Sequence, residues 1–277
     1  LYALVFERSN EILQPILGRL GLILPLSISF STKRSFELLR KYIEEQSGHW
    51  WWSHYDRIPS ALFGNEVRTR CTISICVNAI EKLRHCTTSL KRWNAEARNH
   101  LFTNLYYTEF EGAIGIGIPK LDSQFQSDAL HQLQMLNRPL GIELQNSIGF
   151  KTLEKAAPDF PQPCIFVGGT AYNWFPAWRE IPATTKPNGT PSLPARTAGY
   201  KMKSNDMADI VFALLCSSMG YWWWAVASDG FNLKKWLIQR FPLSPSALDN
   251  DGREELANLG RKLRAELLTH YVYKDNR

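Results

Sequence analysis

The sequence lacks the features that mark several common classes of protein. It has five cysteines, an odd number without a Cys-x-x-Cys pair, which disfavours a zinc site or a disulfide framework and agrees with a reducing cytoplasm. No apolar run reaches the length of about 18 residues that a membrane-spanning helix needs, and no signal-peptide pattern is present. The sequence therefore predicts a cytoplasmic protein without a membrane partner.

Established catalytic motifs are missing as well. The sequence contains no Gly-x-Ser-x-Gly, no P-loop, no His-Glu-x-x-His and no strong dinucleotide fingerprint. Gly112, Gly115 and Gly117 are spaced unlike a phosphate cradle. His54 and Asp56 are conceivable acid–base residues, although isolated groups of this kind more commonly have a structural role. The sequence thus predicts no metal site and offers no catalytic residue.

What the sequence does contain is positive charge and aromatic side chains. The formal net charge is +6, the pI is about 9.0, and there are ten tryptophans, including the triplets at 50–52 and 222–224. A basic balance is compatible with nucleic acid as a partner. Most of the aromatic side chains are expected to fill the core, but aromatics beside basic residues also stack on unpaired bases.

The first 45 residues have an α–β–α pattern. Apolar spacing predicts a helix over residues 1–14, and a helix over 31–45 with Ser31 or Thr32 as its cap. The continuous apolar run from Arg19 to Leu26 predicts a strand that is buried on both faces, as in a parallel sheet. This pattern is typical of a doubly wound α/β sheet.

Three strands are predicted next, over residues 49–55, 70–78 and 85–91. The first two would form a β-hairpin that closes the edge of the sheet. The connection between them carries Pro59 and Gly64, which are typical of turns.

The composition changes near residue 110. Residues 111–245 are rich in Pro, Gly and Thr, with short strands and a helix over 205–224, and are expected to form a mixed α+β domain. The remaining segment, 246–277, is predicted to contain a strongly amphipathic helix.

The order of these segments resembles a known family. The relevant stretches are GRLGLILPLSISFSTKRSFELLRKYI, SHYDRIPSALFGNEVRTRCTISI and TTSLKRWNAEARNHLFTNLYY, followed far downstream by LLCSSMGYWWWAVASDGFNLKKWLIQRFPLS. They are similar to the C-terminal part of adenine-N6 DNA methyltransferases of restriction–modification systems (Eco57I-like, type IIG-like). The match is most specific over residues 1–107 and weakest over 111–204.

The resemblance implies a fold and a role. Residues 1–110 would be the C-terminal portion of the methyltransferase catalytic domain, containing the end of its Rossmann-like sheet, and 111–245 the DNA target-recognition domain. Phe63 matches the aromatic that packs on the adenine extruded from the DNA. The family's cofactor is S-adenosylmethionine, but its glycine-rich loop and its Asn-Pro-Pro-Tyr motif do not occur in this sequence. In the family, the glycine-rich loop and the Asn-Pro-Pro-Tyr motif precede the part that this chain matches. We therefore expect the chain to supply base stacking and target recognition, and to be inactive alone because it lacks both motifs.

Basic residues near these segments are candidates for contact with double-stranded DNA. Phosphate contacts give affinity and register, whereas base contacts give sequence specificity. Any single one of these side chains is at least as well explained as a solvated surface cation. The candidates are Arg57, Arg68, Arg70, Lys91, Arg92, Arg98, Arg179, Lys186 and Arg196.

Two classes of function remain open at this point. The chain is either part of a site-specific DNA adenine-N6 methyltransferase, fused to or partnered with an endonuclease, or a stand-alone DNA-binding specificity module that acts with a separate catalytic chain. The nucleotide sequence upstream of the codon for Leu1 distinguishes them. An open frame encoding the two missing motifs favours the enzyme, and a stop codon with a nearby start favours the module.

Overall fold

In the computed structural model of the protein, the described residues are 2–64, 66–79, 83–112, 114, 117–149, 153, 162–182, 184–186, 188–194 and 196–270. The chain divides into two units. Unit 1 comprises Leu1–Met135 and Ala225–Gly230, and unit 2 comprises Leu136–Trp224 and Phe231–Arg277. The division after Met135 lies downstream of the composition change at residue 110. The assignment of either part to a catalytic or a recognition domain stays a prediction.

Unit 1 is built on a mixed five-stranded sheet in the order β1-β3-β2-β4-β5. β3 pairs antiparallel with both β1 and β2, β4 pairs parallel with β2, and β5 pairs antiparallel with β4. The strands β1, β2 and β4 therefore run in one direction. The strands are β1 (Arg19–Pro25), β2 (His49–Tyr55), β3 (Cys71–Val77), β4 (Arg84–Lys91) and β5 (Thr108–Phe110).

The predicted α/β class is confirmed, and the strand predicted over residues 19–26 forms as β1, but the prediction that it is buried on both faces, as in a parallel sheet, was wrong. Within this sheet β1 lies at the edge, its partner β3 is antiparallel, and Ile23 is 51% exposed. An apolar run indicates that a strand forms, but it does not determine whether a second layer covers the other face. The predicted pairing of β2 with β3 is correct, with Tyr55 opposite Cys71 next to the connection. The prediction that this hairpin closes the edge of the sheet was wrong, because β1 and β4 flank it on either side.

One face of β2 carries the core of unit 1. Trp50 and Trp52 are fully buried, and their rings stack at 5.4 Å. Phe6 stacks on Trp50, also at 5.4 Å, which fixes the first helix against this face. Such aromatic pairs contribute about 0.5–1.5 kcal/mol each beyond the area that they bury.

Four α-helices accompany this sheet: α1 (Tyr2–Glu11), α2 (Ser27–Phe30), α3 (Arg34–Glu44) and α4 (Gln124–Leu136). A 3₁₀ helix spans Ala95–His100. The predicted helix over 31–45 is α3, but its cap was wrong. Lys33 occupies the N-cap position and its side chain makes no capping hydrogen bond. Ser31 instead precedes α3 and ends α2.

Unit 2 contains a four-stranded antiparallel sheet in the order β6-β11-β7-β8 and a separate two-stranded ladder, β9–β10. The strands are β6 (Asn146–Ile148), β7 (Cys164–Val167), β8 (Ala177–Trp178), β9 (Thr184–Thr185), β10 (Pro191–Ser192) and β11 (Ala198–Lys201). The remaining helices are α5 (Asn205–Cys216), α6 (Ser218–Ala227), α7 (Lys235–Gln239) and α8 (Asn250–Thr269), with 3₁₀ helices at Leu140–Glu143 and Pro245–Ala247.

The segment predicted as one helix over 205–224 is two helices, because Ser217 interrupts it. Ser217 has an extended backbone, and its side-chain oxygen accepts a hydrogen bond from the backbone of Gly220 at 3.3 Å. A Cβ at Gly220 would lie 2.2 Å from the carbonyl oxygen of Leu215, so the break also needs glycine there. Among the described residues no single helix is long and apolar enough to cross a membrane. The pair α5 and α6, which is bent by 62°, reaches the required length and apolar composition when the two helices are counted together.

Candidate functional site

The strand directions in unit 1 bring two connecting segments to one end of the sheet, which we call the carboxyl edge. β1, β2 and β4 all end at this carboxyl edge, and β3 begins there. Residues 56–70 leave it after β2, and residues 92–102 leave it after β4. Ligands of open α/β sheets commonly bind outside the carboxyl ends of the strands, so these segments are the first place to look for a site.

Asp56 holds the two segments together at this edge. Its carboxylate is 2% exposed and lies 2.7 Å from Nε of Arg70 and 2.9 Å from Nε of Arg92. The backbone N–H of Arg57 donates to the same carboxylate at 2.7 Å, and Arg92 also donates to the carbonyl of Gly230 at 3.3 Å. One buried charge thus fixes the ends of both segments.

Phe63 lies at the tip of the first segment. It forms an isolated antiparallel β-bridge with Val67, and Gly64 supplies the positive φ of 76° that the tight turn needs. Leu62 is buried, but the ring of Phe63 is 48% exposed. An exposed phenyl ring at a braced turn is available for contact with a ligand.

Phe63 forms one wall of a pocket of about 300 Å³. The floor includes Ile23 and Ile73, which are direct partners across β1 and β3. This volume is at the lower end of the range of roughly 300–1,000 Å³ that is usual for small-molecule sites. The lining residues are Ile23, Leu62, Phe63, Ile73, Arg98, Asn99, Leu101 and Phe102.

The second segment closes the pocket. Nη2 of Arg98 donates to the carbonyl oxygen of Leu62 at 2.9 Å, which joins the two walls. Tyr55, Leu62 and Trp93 form the buried cluster beneath the pocket, and Tyr55 makes edge contacts with the rings of Trp93 at 5.9 Å and Phe102 at 5.8 Å. The walls are therefore positioned by a packed core rather than by a flexible loop.

The pocket favours binding over acid–base chemistry. Among the described residues that line it, Arg98 is the one charged side chain, and none is His, Asp, Glu, Lys, Cys or Tyr. In the buried cluster beneath it, burial raises the pKa of Tyr55 and of Cys71, so both groups are neutral at pH 7. A flat apolar ligand would meet mainly aromatic and aliphatic carbon on the protein side, with the other side open to solvent.

His54 has a structural role. It is fully buried, with Nδ1 at 3.0 Å from the hydroxyl of Thr72 and Nε2 at 3.1 Å from the hydroxyl of Thr87. Burial, and secondarily the charge of Lys120, hold the pKa of His54 well below 6.5. The imidazole is neutral and enclosed, so no substrate reaches it.

Lys120 is a buried amine that sequence analysis did not identify as a candidate. Its side chain is enclosed, and in the described part of the chain Nζ has no hydrogen-bond partner. Burial lowers the pKa of Lys120 to about 7, although the charge of Asp229 opposes the shift. The amine is therefore close to half neutral at physiological pH.

The predicted DNA-binding residues of unit 1 lie in different environments. Arg70 and Arg92 are brought together on Asp56, so part of each guanidinium is used by the fold. Arg98 stands in the pocket wall, and Arg68 is exposed on the segment after Phe63. Arg57 and Lys91 are half-buried beside the edge of the sheet. Contact of these residues with DNA stays a prediction.

Of the three predicted DNA-binding residues in unit 2, Arg179 is buried, whereas Lys186 and Arg196 are exposed. Arg179 and Asp209 are both almost fully buried, and Nε of Arg179 lies 3.0 Å from Oδ1 of Asp209 in an ion pair. Arg179 also donates to the carbonyl of Cys164 at 3.1 Å, and burial lowers its pKa. Its guanidinium serves the fold in this structure, whereas Lys186 and Arg196 are exposed.

Within the described residues, no group of three or more His, Cys, Asp or Glu side chains is arranged to hold a metal ion. The glycine-rich stretch around residue 115 lies partly outside the described residues, since 113, 115 and 116 are not among them.

Comparison with known proteins gives a likeness of fold. No protein-family model matches the sequence, and no curated protein matches it. Among solved structures, a nuclease-deletion mutant of the Type ISP restriction-modification enzyme LlaGI, in complex with a DNA substrate mimic, is similar with a TM-score of 0.50 and 12% sequence identity. The alignment covers 95% of this chain but only 36% of that one, so the chain spans about a third of its structural neighbour. At this identity the similarity is one of fold.

Proposed function

We propose that this chain is part of a site-specific DNA adenine-N6 methyltransferase of a restriction–modification system. In this proposal unit 1 supplies the wall of the pocket that receives a base extruded from the duplex, and unit 2 takes part in target recognition. The observation that carries the proposal is the half-exposed ring of Phe63 in an apolar pocket at the carboxyl edge of the sheet.

The energetics of base extrusion suit this pocket. Removing a base from the duplex costs a few kcal/mol, and stacking on one aromatic ring recovers roughly 1–3 kcal/mol. The ring of Phe63 lines the pocket together with Ile23 and Leu101, and this apolar surface would contact a planar ring. Since Asp56 and the Arg98–Leu62 hydrogen bond brace the walls, little ordering is needed on binding.

Two further observations support DNA as the partner. The chain is basic, with a net charge of +6, which favours association with a polyanion. Its fold is similar to a part of a restriction–modification enzyme that was determined with a DNA substrate mimic.

The methyl donor does not fit the residues of this chain. The sequence has neither the Asn-Pro-Pro-Tyr motif nor a glycine-rich loop of the kind that holds S-adenosylmethionine. Another part of the complete enzyme would therefore hold the donor.

The test uses the complete reading frame with the substitution Phe63→Ala. Methylation of DNA should fall by at least tenfold, because stacking is lost, while non-specific duplex affinity changes little. The matched control is Phe125→Ala, because Phe125 lies on α4 and is 80% exposed. This variant should leave methylation and duplex affinity unchanged. Unchanged methylation by the Phe63 variant would refute the stacking role.

A further inference from the structure

Unit 2 carries an exposed aromatic surface on the loop between β7 and β8. Residues 168–176 form this loop, which is closed by a hydrogen bond from the backbone N–H of Gly168 to the carbonyl of Pro176 at 2.8 Å. Ala171 and Phe175 are buried, whereas Tyr172 is 57% exposed and Trp174 is 67% exposed. The loop is thus anchored by apolar residues and presents two large rings to solvent.

The loop is held rigidly by the segment that follows residue 230. The backbone N–H of Ala171 donates to the carbonyl of Phe231 at 2.9 Å, and that of Leu233 donates to the carbonyl of Gly169 at 3.0 Å. The rings of Tyr172 and Phe231 make an edge contact at 5.2 Å. Exposed aromatic rings on a braced backbone lose little conformational freedom when they bind a partner.

Arg196 is fixed against the same loop. Its φ of 59° is in the left-handed region that arginine seldom adopts, and its Nη1 lies 3.4 Å from Oδ1 of Asn232. A Cβ at Gly169 would lie only 2.4 Å from Cβ of Arg196, so the two backbones meet closely. Such local strain persists where the surrounding structure enforces it, and it is often found at functional sites.

Cations accompany the two rings in the connected segments. Segments 168–176, 196–197 and 231–236 contain Arg196 and Lys235, both exposed, together with Lys234, and their sequence contains no aspartate or glutamate. Aromatic rings beside exposed cations match the chemistry of a single nucleic-acid strand, whose bases stack and whose phosphates pair.

We propose that the surface formed by Tyr172, Trp174 and Arg196 binds unpaired nucleotides of a single-stranded nucleic acid. Trp174 stacks on a base, Tyr172 supports the neighbouring one, and Arg196 contacts the phosphate between them. This surface belongs to unit 2 alone and is separate from the Phe63 pocket, so the proposal does not depend on base capture by Phe63.

The experiment measures binding of a fluorescein-labelled oligothymidylate to the full 277-residue chain by fluorescence anisotropy. Trp174→Ala should weaken binding by about tenfold, whereas Trp174→Phe, which keeps a ring, should stay within roughly threefold. Arg196→Ala should lower the slope of log affinity against log salt by about 0.7, the value for one phosphate contact on a single strand. Phe125→Ala and Lys262→Ala are the controls, because both side chains are exposed and outside this surface.

Three results would overturn the proposal. The first is absence of oligothymidylate binding by the native chain. The second is a Trp174→Ala variant that binds as the Phe125→Ala control does, with native circular dichroism. The third is equal affinity for an abasic oligonucleotide of the same length, since that would leave no role for stacking.

Discussion

Replacing Asp56 by Asn should destabilise unit 1 more than any loss of a surface charge. The carboxylate is 2% exposed and is shared by Arg70, whose side chain is 12% exposed, and Arg92, whose side chain is 45% exposed. Removing one member of a buried ion pair costs about 3–5 kcal/mol because the partner charge stays buried. The Arg92 pair is largely solvated and adds only about 0–1 kcal/mol. We therefore expect a total loss of about 3–6 kcal/mol, most of it from Arg70.

The measurement is hydrogen exchange in increasing urea, followed by mass spectrometry of the peptides that contain β2 and β3. A peptide-level readout is needed because a chain of two units need not unfold in one transition. Asp128→Asn, at an exposed position on α4, is the matched control, and Arg92→Gln should cost about 1 kcal/mol or less. A loss below about 1 kcal/mol in Asp56→Asn would show that Asp56 does not brace the two segments.

Two further substitutions test buried charges elsewhere. Burial lowers the pKa of Lys120 from 10.5 to about 7, so between these values the unfolded chain binds a proton that the folded chain does not. The stability of the native chain therefore rises with pH relative to Lys120→Met by about 1.4 kcal/mol per unit between pH 7.5 and 9.5, and urea denaturation that shows a constant difference would contradict this. Arg179→Met leaves Asp209 buried without its partner and should destabilise unit 2 by about 3–5 kcal/mol in thermal or urea denaturation, with no change in the salt dependence of DNA binding. A stable variant with a reduced salt slope would instead support the predicted role of Arg179 as a DNA contact.

Local pattern was sufficient to predict most strands of unit 1, but not their arrangement. The sequence pattern placed β2, β3 and β4 nearly at their observed bounds, and β3 was marked by its β-branched residues Thr72, Ile73 and Ile75. The order β1-β3-β2-β4-β5 depends on pairings between distant segments, which local periodicity does not contain. The same limit explains the error at β1, because burial of its second face depends on what packs there and not on its own residues.

The site was predictable in part. Phe63 was identified only through the family resemblance, since an isolated phenylalanine after a turn is usually a core residue. Its pocket needs Arg98, Asn99 and Phe102, which lie more than 30 positions further along the chain and are brought in by contacts with Leu62 and Tyr55. Arg98 was predicted as a DNA contact rather than as a pocket residue, and nothing local pointed to Asn99 or Phe102. Contact of the basic side chains with DNA stays a prediction, and sequence does not show that Arg70 and Arg179 are paired with buried carboxylates.

The central claim is that the Phe63 pocket receives an unpaired base, and photo-crosslinking tests it most directly. A duplex with one bulged 8-azidoadenine needs no knowledge of the target sequence, because the base is already unpaired. After irradiation with the 277-residue chain, mass spectrometry should place the cross-link in residues 57–68 or 93–102, or at Ile23 or Ile73 in the floor of the pocket, and Phe63→Ala should abolish it. Cross-links found only outside these positions, or a yield that Phe63→Ala leaves unchanged, would contradict the account.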